Sequence, residues 1–314
     1  MNNEDWYYPA TRSKTITYGF AIKERLVAER SKYQQIEIID TYDYGKMILL
    51  DRIPQACELD EFIFHEAIVH PALCAHPDPK DILIIGGGGG GTLREVLKHD
   101  CVESATMVEI DEKLVSLWTE HLPDWSGGAF NDPRSTLRFE DGRGFIEEND
   151  DKFDVIMLDL SDPFENSPAQ HLFTLEFYQL VEKQLKEGGM VVLQAESAVY
   201  GNNEDHIRLL HTLTGVFKSV IPYHAYIPLF ESTYGFALAT HRNLKRRDFH
   251  ALPVEDILQK REVGDLRFFD HESVLNAFTM PRYLREAIQN SNNALISDTS
   301  PLNAYVGNLH KPKS

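Results

Sequence analysis

Apolar and polar positions change period as the chain proceeds. Residues 15–23, 34–40 and 46–50 alternate or are rich in β-branched side chains, and Tyr44-Gly45 and Asp51-Arg52 supply turn chemistry around them. This predicts a small antiparallel sheet up to about residue 57. Residues 60–74 carry helical periodicity that ends near Pro77 and Pro79. From residue 81, strand and helix patterns alternate: strands at 82–85, 105–110, 136–139, 155–159, 190–194, 219–227 and 234–240, helices at 92–99, 112–121, 144–148, 173–185 and 203–217. Such alternation implies a largely parallel, doubly wound α/β sheet. The stretch from residue 248 is helix-rich. The expected division is an N-terminal β-strand domain over 1–57 and an α/β domain over 58–314, without internal repeats.

With 314 residues, 42% of them hydrophobic, the chain can bury a core of one large or two modest domains. Its net charge of −18 argues against nucleic acid and anionic membranes as partners, and suits cationic ligands. Cys57, Cys74 and Cys101 have neither metal-ligand nor redox spacing, so a reducing cytoplasm is expected. The acidic N-terminus lacks the apolar core of a signal peptide, and no apolar run is long enough to span a bilayer.

Candidate chemistry gathers where predicted strands end. Six consecutive glycines, Gly86 to Gly91, separate the apolar run at 82–85 from the next helical pattern. A strand, a glycine turn and a helix N-terminus in that order form a cofactor-binding corner, and Gly86, Gly88 and Gly91 satisfy G-x-G-x-x-G. Glu109, ending the next strand, is placed to accept hydrogen bonds from ribose hydroxyls. Asp141, in Asp141-Gly142, suits an exocyclic amine of adenine, although Asp-Gly is also an ordinary turn. Asp159-Leu-Ser-Asp-Pro163 puts two acids on the edge where ligands of open α/β sheets bind, although Asp162 before Pro163 also suits an Asx turn. Glu196 follows the next strand and adds a third acid, for a cleft that would hold a cationic amine. His65-Glu-Ala-Ile-Val-His70 is one residue too long for H-E-x-x-H, so no metal site is expected and His70 reads as structural.

Together these blocks resemble the spermidine synthase (polyamine aminopropyltransferase) family, including its thermospermine-synthase-like and triamine-using branches. The resemblance runs from about Tyr33 to Ala304 and rests on the glycine loop with Leu93-Arg-Glu-Val-Leu-Lys-His99, Val108-Glu-Ile-Asp111, Asp141-Gly142, Asp159-Leu-Ser-Asp-Pro163 and Phe173-Thr-Leu-Glu-Phe-Tyr178. It implies a small N-terminal β-domain, a Rossmann-like catalytic domain of the class I methyltransferase type, and a homodimer or homotetramer. By the same resemblance Gln34 and His65 would touch an S-adenosyl donor, with Gly86, Gly88, Gly89 and Gly142 lining its site. Glu109 would hold the ribose and Asp141 the adenine. Asp159 would be the catalytic acid–base residue, and Asp162 and Glu196 would bind the amine.

One position departs from the family pattern, Gly-Gly-Gly-Asp-Gly-Gly: the acid is replaced by Gly89. In the family that acid pairs with the ammonium of decarboxylated S-adenosylmethionine. Facing the carboxylate of intact S-adenosylmethionine at about 4 Å, it would cost roughly 4 kcal/mol at an effective dielectric of 20. Gly89 removes the clash and is expected to open space, as in plant putrescine N-methyltransferases, which also lack the acid. Phe64 and Phe230 stand where family members often carry Tyr, which removes hydroxyls from the amine side. The favoured expectation is therefore N-methylation of a di- or polyamine such as putrescine, spermidine or an agmatine-like amine by S-adenosylmethionine. The alternative is aminopropyl transfer from decarboxylated S-adenosylmethionine. Transfer of an aminocarboxypropyl arm, a nicotinamide-dependent dehydrogenase read from the loop alone, and a non-catalytic nucleoside or polyamine sensor complete the alternatives.

Overall fold

The computed structural model describes residues 5–10, 17–291 and 293–304. Five strands, β1 (Asp5–Tyr7), β2 (Phe20–Arg30), β3 (Gln35–Thr41), β4 (Gly45–Leu50) and β5 (Ile53–Cys57), form an antiparallel sheet in sequential order. The strand expected at 15–23 starts later and runs on to Arg30, and its residues 15 and 16 lie outside the described residues. The expected pattern missed β1 and β5.

Helix α1 (Glu61–Ala75) leads into the second sheet, built from β6 (Asp81–Gly86), β7 (Ser104–Glu109), β8 (Ser135–Phe139), β9 (Phe153–Asp159), β10 (Leu185–Ser197), β11 (Ser219–Ile227) and β12 (Ser232–Thr240). Its order is β11-β12-β10-β9-β6-β7-β8; the pairs from β10 to β8 are parallel, and β12 and β11 add antiparallel strands. This is a Rossmann-like, mostly parallel sheet. The helices following its strands include α2 (Gly91–Leu97), α3 (Glu112–His121), α4 (Pro123–Ser126), α5 (Gly142–Glu148), α6 (Leu175–Lys183) and α7 (Glu204–Thr214). Four more, α8 (Arg246–Phe249), α9 (Val254–Lys260), α10 (His271–Ala277) and α11 (Arg282–Gln289), follow β12. Helix starts follow local chemistry: Asp111, Asp141 and Thr174 accept hydrogen bonds from Leu114, Gly144 and Phe177 N–H, capping α3, α5 and α6.

The strand period of two separates the core into two faces. Ile82 and Ile84 join one cluster, shared with α1, α2 and the N-terminal sheet, while Leu83 and Ile85 join the other, with Phe177, Tyr178 and Val181 of α6 and Leu209, Leu210 and Leu213 of α7. A third cluster packs Ile36, Ile38, Ile48 and Leu50 of the small sheet against Leu114, Leu117 and Trp118 of α3. The chain leaves β6 for β7 and β8 on one side and crosses back to β9 on the other. The crevice beyond the carboxyl ends of β6 and β9 is therefore the topological switch point, where such sheets bind ligands.

Candidate active site

The glycine turn is fastened to the end of β9. Gly86 pairs with Asp159, and Gly87 N–H donates to the Asp159 carbonyl at 3.0 Å. A Cβ on Gly86 would stand 2.1 Å from that carbonyl oxygen, and the residue has φ +85°, so only glycine fits. The turn opens onto a cavity of about 360 Å³.

Glu109 closes one side. Its carboxylate accepts Gly88 N–H at 3.2 Å and Asp111 N–H at 3.0 Å, and burial pushes it up to about 7 against those hydrogen bonds. Asp111 in turn accepts from the Gln34 amide at 3.0 Å and from the Ser31 hydroxyl at 2.6 Å, which brings the small sheet onto the wall. Asp141 and Gly142 line the cavity at the start of α5.

Asp159 is held by the Thr92 hydroxyl, which donates to it at 2.6 Å. Burial raises its pKa, while the charge of His65 and the Thr92 hydrogen bond pull the other way. Three residues on, Asp162 Oδ1 lies 3.0 Å from the Tyr234 hydroxyl, which is also 3.0 Å from Gln194 Oε1; its one hydrogen serves one acceptor at a time. Phe64, Phe230 and Phe236 surround the Tyr234 ring at centroid distances of 6.3, 5.1 and 6.1 Å. Aromatic faces beside acids suit an alkyl chain ending in ammonium groups. Asp60, just before α1, and Glu61 and His65 on it also line the cavity.

Gln34, Phe64, His65, Gly86, Gly88, Gly89, Glu109, Asp141, Gly142, Asp159, Asp162 and Phe230 therefore share one cavity. Glu196 is not among its lining residues. Strand β10 shifts register between Gln194 and Ser197, and Glu196 takes φ +64° there. The carboxyl is fully buried and its charge bears on Tyr178 of α6, in the core cluster on that face of the sheet. Gln194 and Ser197 line the cavity from this strand end instead. The sequence reading missed Gln194, Tyr234, Thr92 and Trp118; the alternation of Gln194 with its neighbours was the one signal available for the first.

Gly89 does not open space. A Cβ there would lie 2.1 Å from Cε2, 2.4 Å from Nε1 and 2.6 Å from Cζ2 of Trp118, distances that put it over the face of the indole. The ring lies on the turn and fills the volume a side chain would need. Its Nε1–H is buried and has no hydrogen-bond partner among the described residues. Among the described residues no helix is long and apolar enough to cross a membrane, and no group of three or more His, Cys, Asp or Glu could hold a metal ion.

Comparison with known proteins adds names to this geometry. Residues 61–248 match the spermine/spermidine synthase domain, and residues 6–58 match the spermidine synthase tetramerisation domain. Polyamine aminopropyltransferase 2 of Pseudomonas aeruginosa is 43% identical over 71% of this chain, a match that spans 64% of that protein's length. The polyamine aminopropyltransferase of Sulfurisphaera tokodaii is 38% identical over 88% of this chain and 90% of its own. A solved spermidine synthase in complex with the transition state analogue AdoDATO superposes with a TM-score of 0.83, at 27% identity over 92% of this chain and 97% of that one.

Proposed function

The chain belongs to the spermine/spermidine synthase family, and from that premise we propose that it transfers an aminopropyl group from decarboxylated S-adenosylmethionine to a di- or polyamine. The names of the relatives support this reading over methyl transfer from intact S-adenosylmethionine, which none of the three names above supports. The observation that carries it is the meeting of Asp159 and Asp162, Glu109 and the glycine turn around one cavity.

In this reading Glu109 receives the ribose hydroxyls and Asp141 the adenine amine, with Gln34 and His65 along the donor. Asp162 and the ring set around Tyr234 hold the acceptor, a putrescine-, spermidine- or agmatine-like amine. A protonated amine has no lone pair to offer, so Asp159, raised by burial, takes one proton from it. The freed pair attacks the methylene carbon beside the sulfonium. The C–N bond forms, the C–S bond breaks, and its electrons leave with sulfur as a neutral thioether. Alignment of amine and sulfonium accounts for on the order of 7 kcal/mol of the acceleration. We divide the chain into a β-strand unit over 1–57 and a catalytic unit over 58–314, assign the first to assembly of a homotetramer or homodimer, and place the enzyme in the cytoplasm.

The test is direct. The protein is incubated with putrescine, spermidine or agmatine and with either donor, and the product is weighed by mass spectrometry. An aminopropyl increment from the decarboxylated donor is expected; a methyl increment from the intact donor overturns the reading. Asp159→Asn should lower turnover by about 10³-fold, and near-normal turnover removes Asp159 from the mechanism.

A further inference from the structure

Helix α1 brings a second titratable group to the cavity. His65 Nδ1 lies 2.5 Å from Glu61 Oε2, one turn earlier on the helix. Glu61 is itself fixed by Arg94 of α2, whose guanidinium donates to both carboxylate oxygens at 3.0 and 3.2 Å. Burial would raise Glu61, but the hydrogen bond from His65, the charge that ring carries once protonated, and the charge and hydrogen bonds of Arg94 outweigh it and hold the carboxyl at about 2. Glu61 is thus a fixed anion, and the proton on His65 belongs on Nδ1.

The ring cannot turn over freely. It lies flat on Gly91, where a Cβ would stand 2.3 to 2.6 Å from Cε1, Nδ1 and Nε2. Its Nε2 has no protein partner among the described residues and is not sealed from solvent, while the ring lines the cavity. Across that cavity a proton taken up by His65 would favour the ionised form of Asp159. The charged groups that face this imidazole are Glu61 on its own helix, Arg94 of α2 through Glu61, and Asp159 of β9.

We propose that His65 is the second proton acceptor of the reaction, with Glu61 as its positioning residue. The proposal rests on the transferase reading above. The amine gives its proton to Asp159, and Nε2 of His65 receives it from there across cavity water and releases it to solvent. Asp159 returns to the carboxylate for the next acceptor. A carboxylate–imidazole pair with Nδ1–H turned to the anion leaves Nε2 as the basic nitrogen. No bond to carbon or sulfur is made by His65, so the balance of the transfer step is unchanged.

The test uses the full chain with decarboxylated S-adenosylmethionine and whichever amine gives product. His65→Gln should lower kcat about 100-fold while KM for the amine stays within threefold, and Glu61→Gln should lower kcat about tenfold. Added imidazole should restore part of the rate to His65→Ala. Nitrogen-15 spectra of the wild-type protein should show His65 protonated on Nδ1 and bare on Nε2. The proposal is overturned if His65→Gln keeps kcat within threefold, or if the wild-type imidazole carries its proton on Nε2 alone. The spectra keep the test decisive should the variants not fold. Absence of any aminopropyl product from the wild-type protein overturns the transferase reading itself, and this inference with it; product with unchanged variants overturns this inference alone.

Discussion

Helix α1 carries two histidines five residues apart, each paired with a glutamate, and the pairs differ in what lies beside them. His65 meets Glu61 at the cavity, while His70 meets Glu95 at 3.1 Å with its ring fully buried. Arg94 joins the two pairs: it donates to Glu61 and, at 2.8 Å, to Glu95. His70 also bonds His99 at 2.9 Å, and Phe269 packs on it at 5.2 Å between centroids. Both nitrogens of the sealed ring are used, whereas the open ring has one to spare. The same residue pair thus acts as a structural bolt where both sides are filled, and as chemical equipment where one side is empty.

The largest effect that would sharpen this contrast is on stability. His70→Ala removes one partner of a buried hydrogen-bonded pair and leaves Glu95 and His99 each a hydrogen bond short. It should cost about 3–5 kcal/mol in urea unfolding, while kcat per folded molecule stays unchanged. His65→Gln should do the reverse. A loss below about 1 kcal/mol for His70→Ala would break the comparison, because the sealed pair would then hold nothing together.

The next effect compares carboxylates by their partners. Glu61 and Glu95 sit against cations, which outweigh burial and hold both below the usual range. Among the described residues Glu109 is held by backbone N–H groups alone, and burial takes it from 4.5 to about 7. Its folded-state pKa lies above the unfolded value, so its share of stability is full below about 4.5 and is lost as pH rises through 7. The shift corresponds to about 3 kcal/mol. The ligand-free protein should therefore be less stable at pH 8 than at pH 5, and Glu109→Gln should remove about that much of the difference in urea titrations at the two values. Asp159 acts in the same direction, while Glu61 finishes titrating below this window. An unchanged pH dependence in Glu109→Gln would show that the Gly88 and Asp111 N–H groups hold an ionised carboxylate throughout.

What the sequence could reveal follows from how local each cause is. The parallel strands were legible because each is an apolar run followed by turn chemistry, and the glycine turn, Glu109 and Asp159 were legible because strand ends of such sheets converge. Edge strands β1 and β5 were not, since three and five residues carry too little alternation. The sequence puts Glu196 in the cleft because it follows a strand on the edge where such sheets bind ligands. The register shift turns it into the core, and a bulge of this kind is set by packing against β12 rather than by residues nearby. His65 was legible as a cavity residue, but its pairing with a glutamate fastened from α2 depends on two helices meeting.

Trp118 is the other long-range contact that the sequence concealed, and it gives the smallest of these effects. Gly86, Gly87, Gly88 and Gly90 have positive φ, but Gly89 does not, so its backbone accepts a side chain. What excludes one is the indole from α3, which stands over Cα with its rim against Trp125 at 5.5 Å between centroids. The cost of a side chain at 89 is therefore packing rather than backbone strain. Gly89→Ala alone should destabilise the protein by about 1–3 kcal/mol. In a Trp118→Ala background the same substitution should cost close to nothing, so a double-mutant cycle should return a coupling of about 1–3 kcal/mol. Equal cost in both backgrounds would mean that the backbone, not the indole, keeps this position glycine. The contrast with the histidine pairs then extends to the turn: a glycine required by its own φ at 86 stands three residues from one required only by a neighbour.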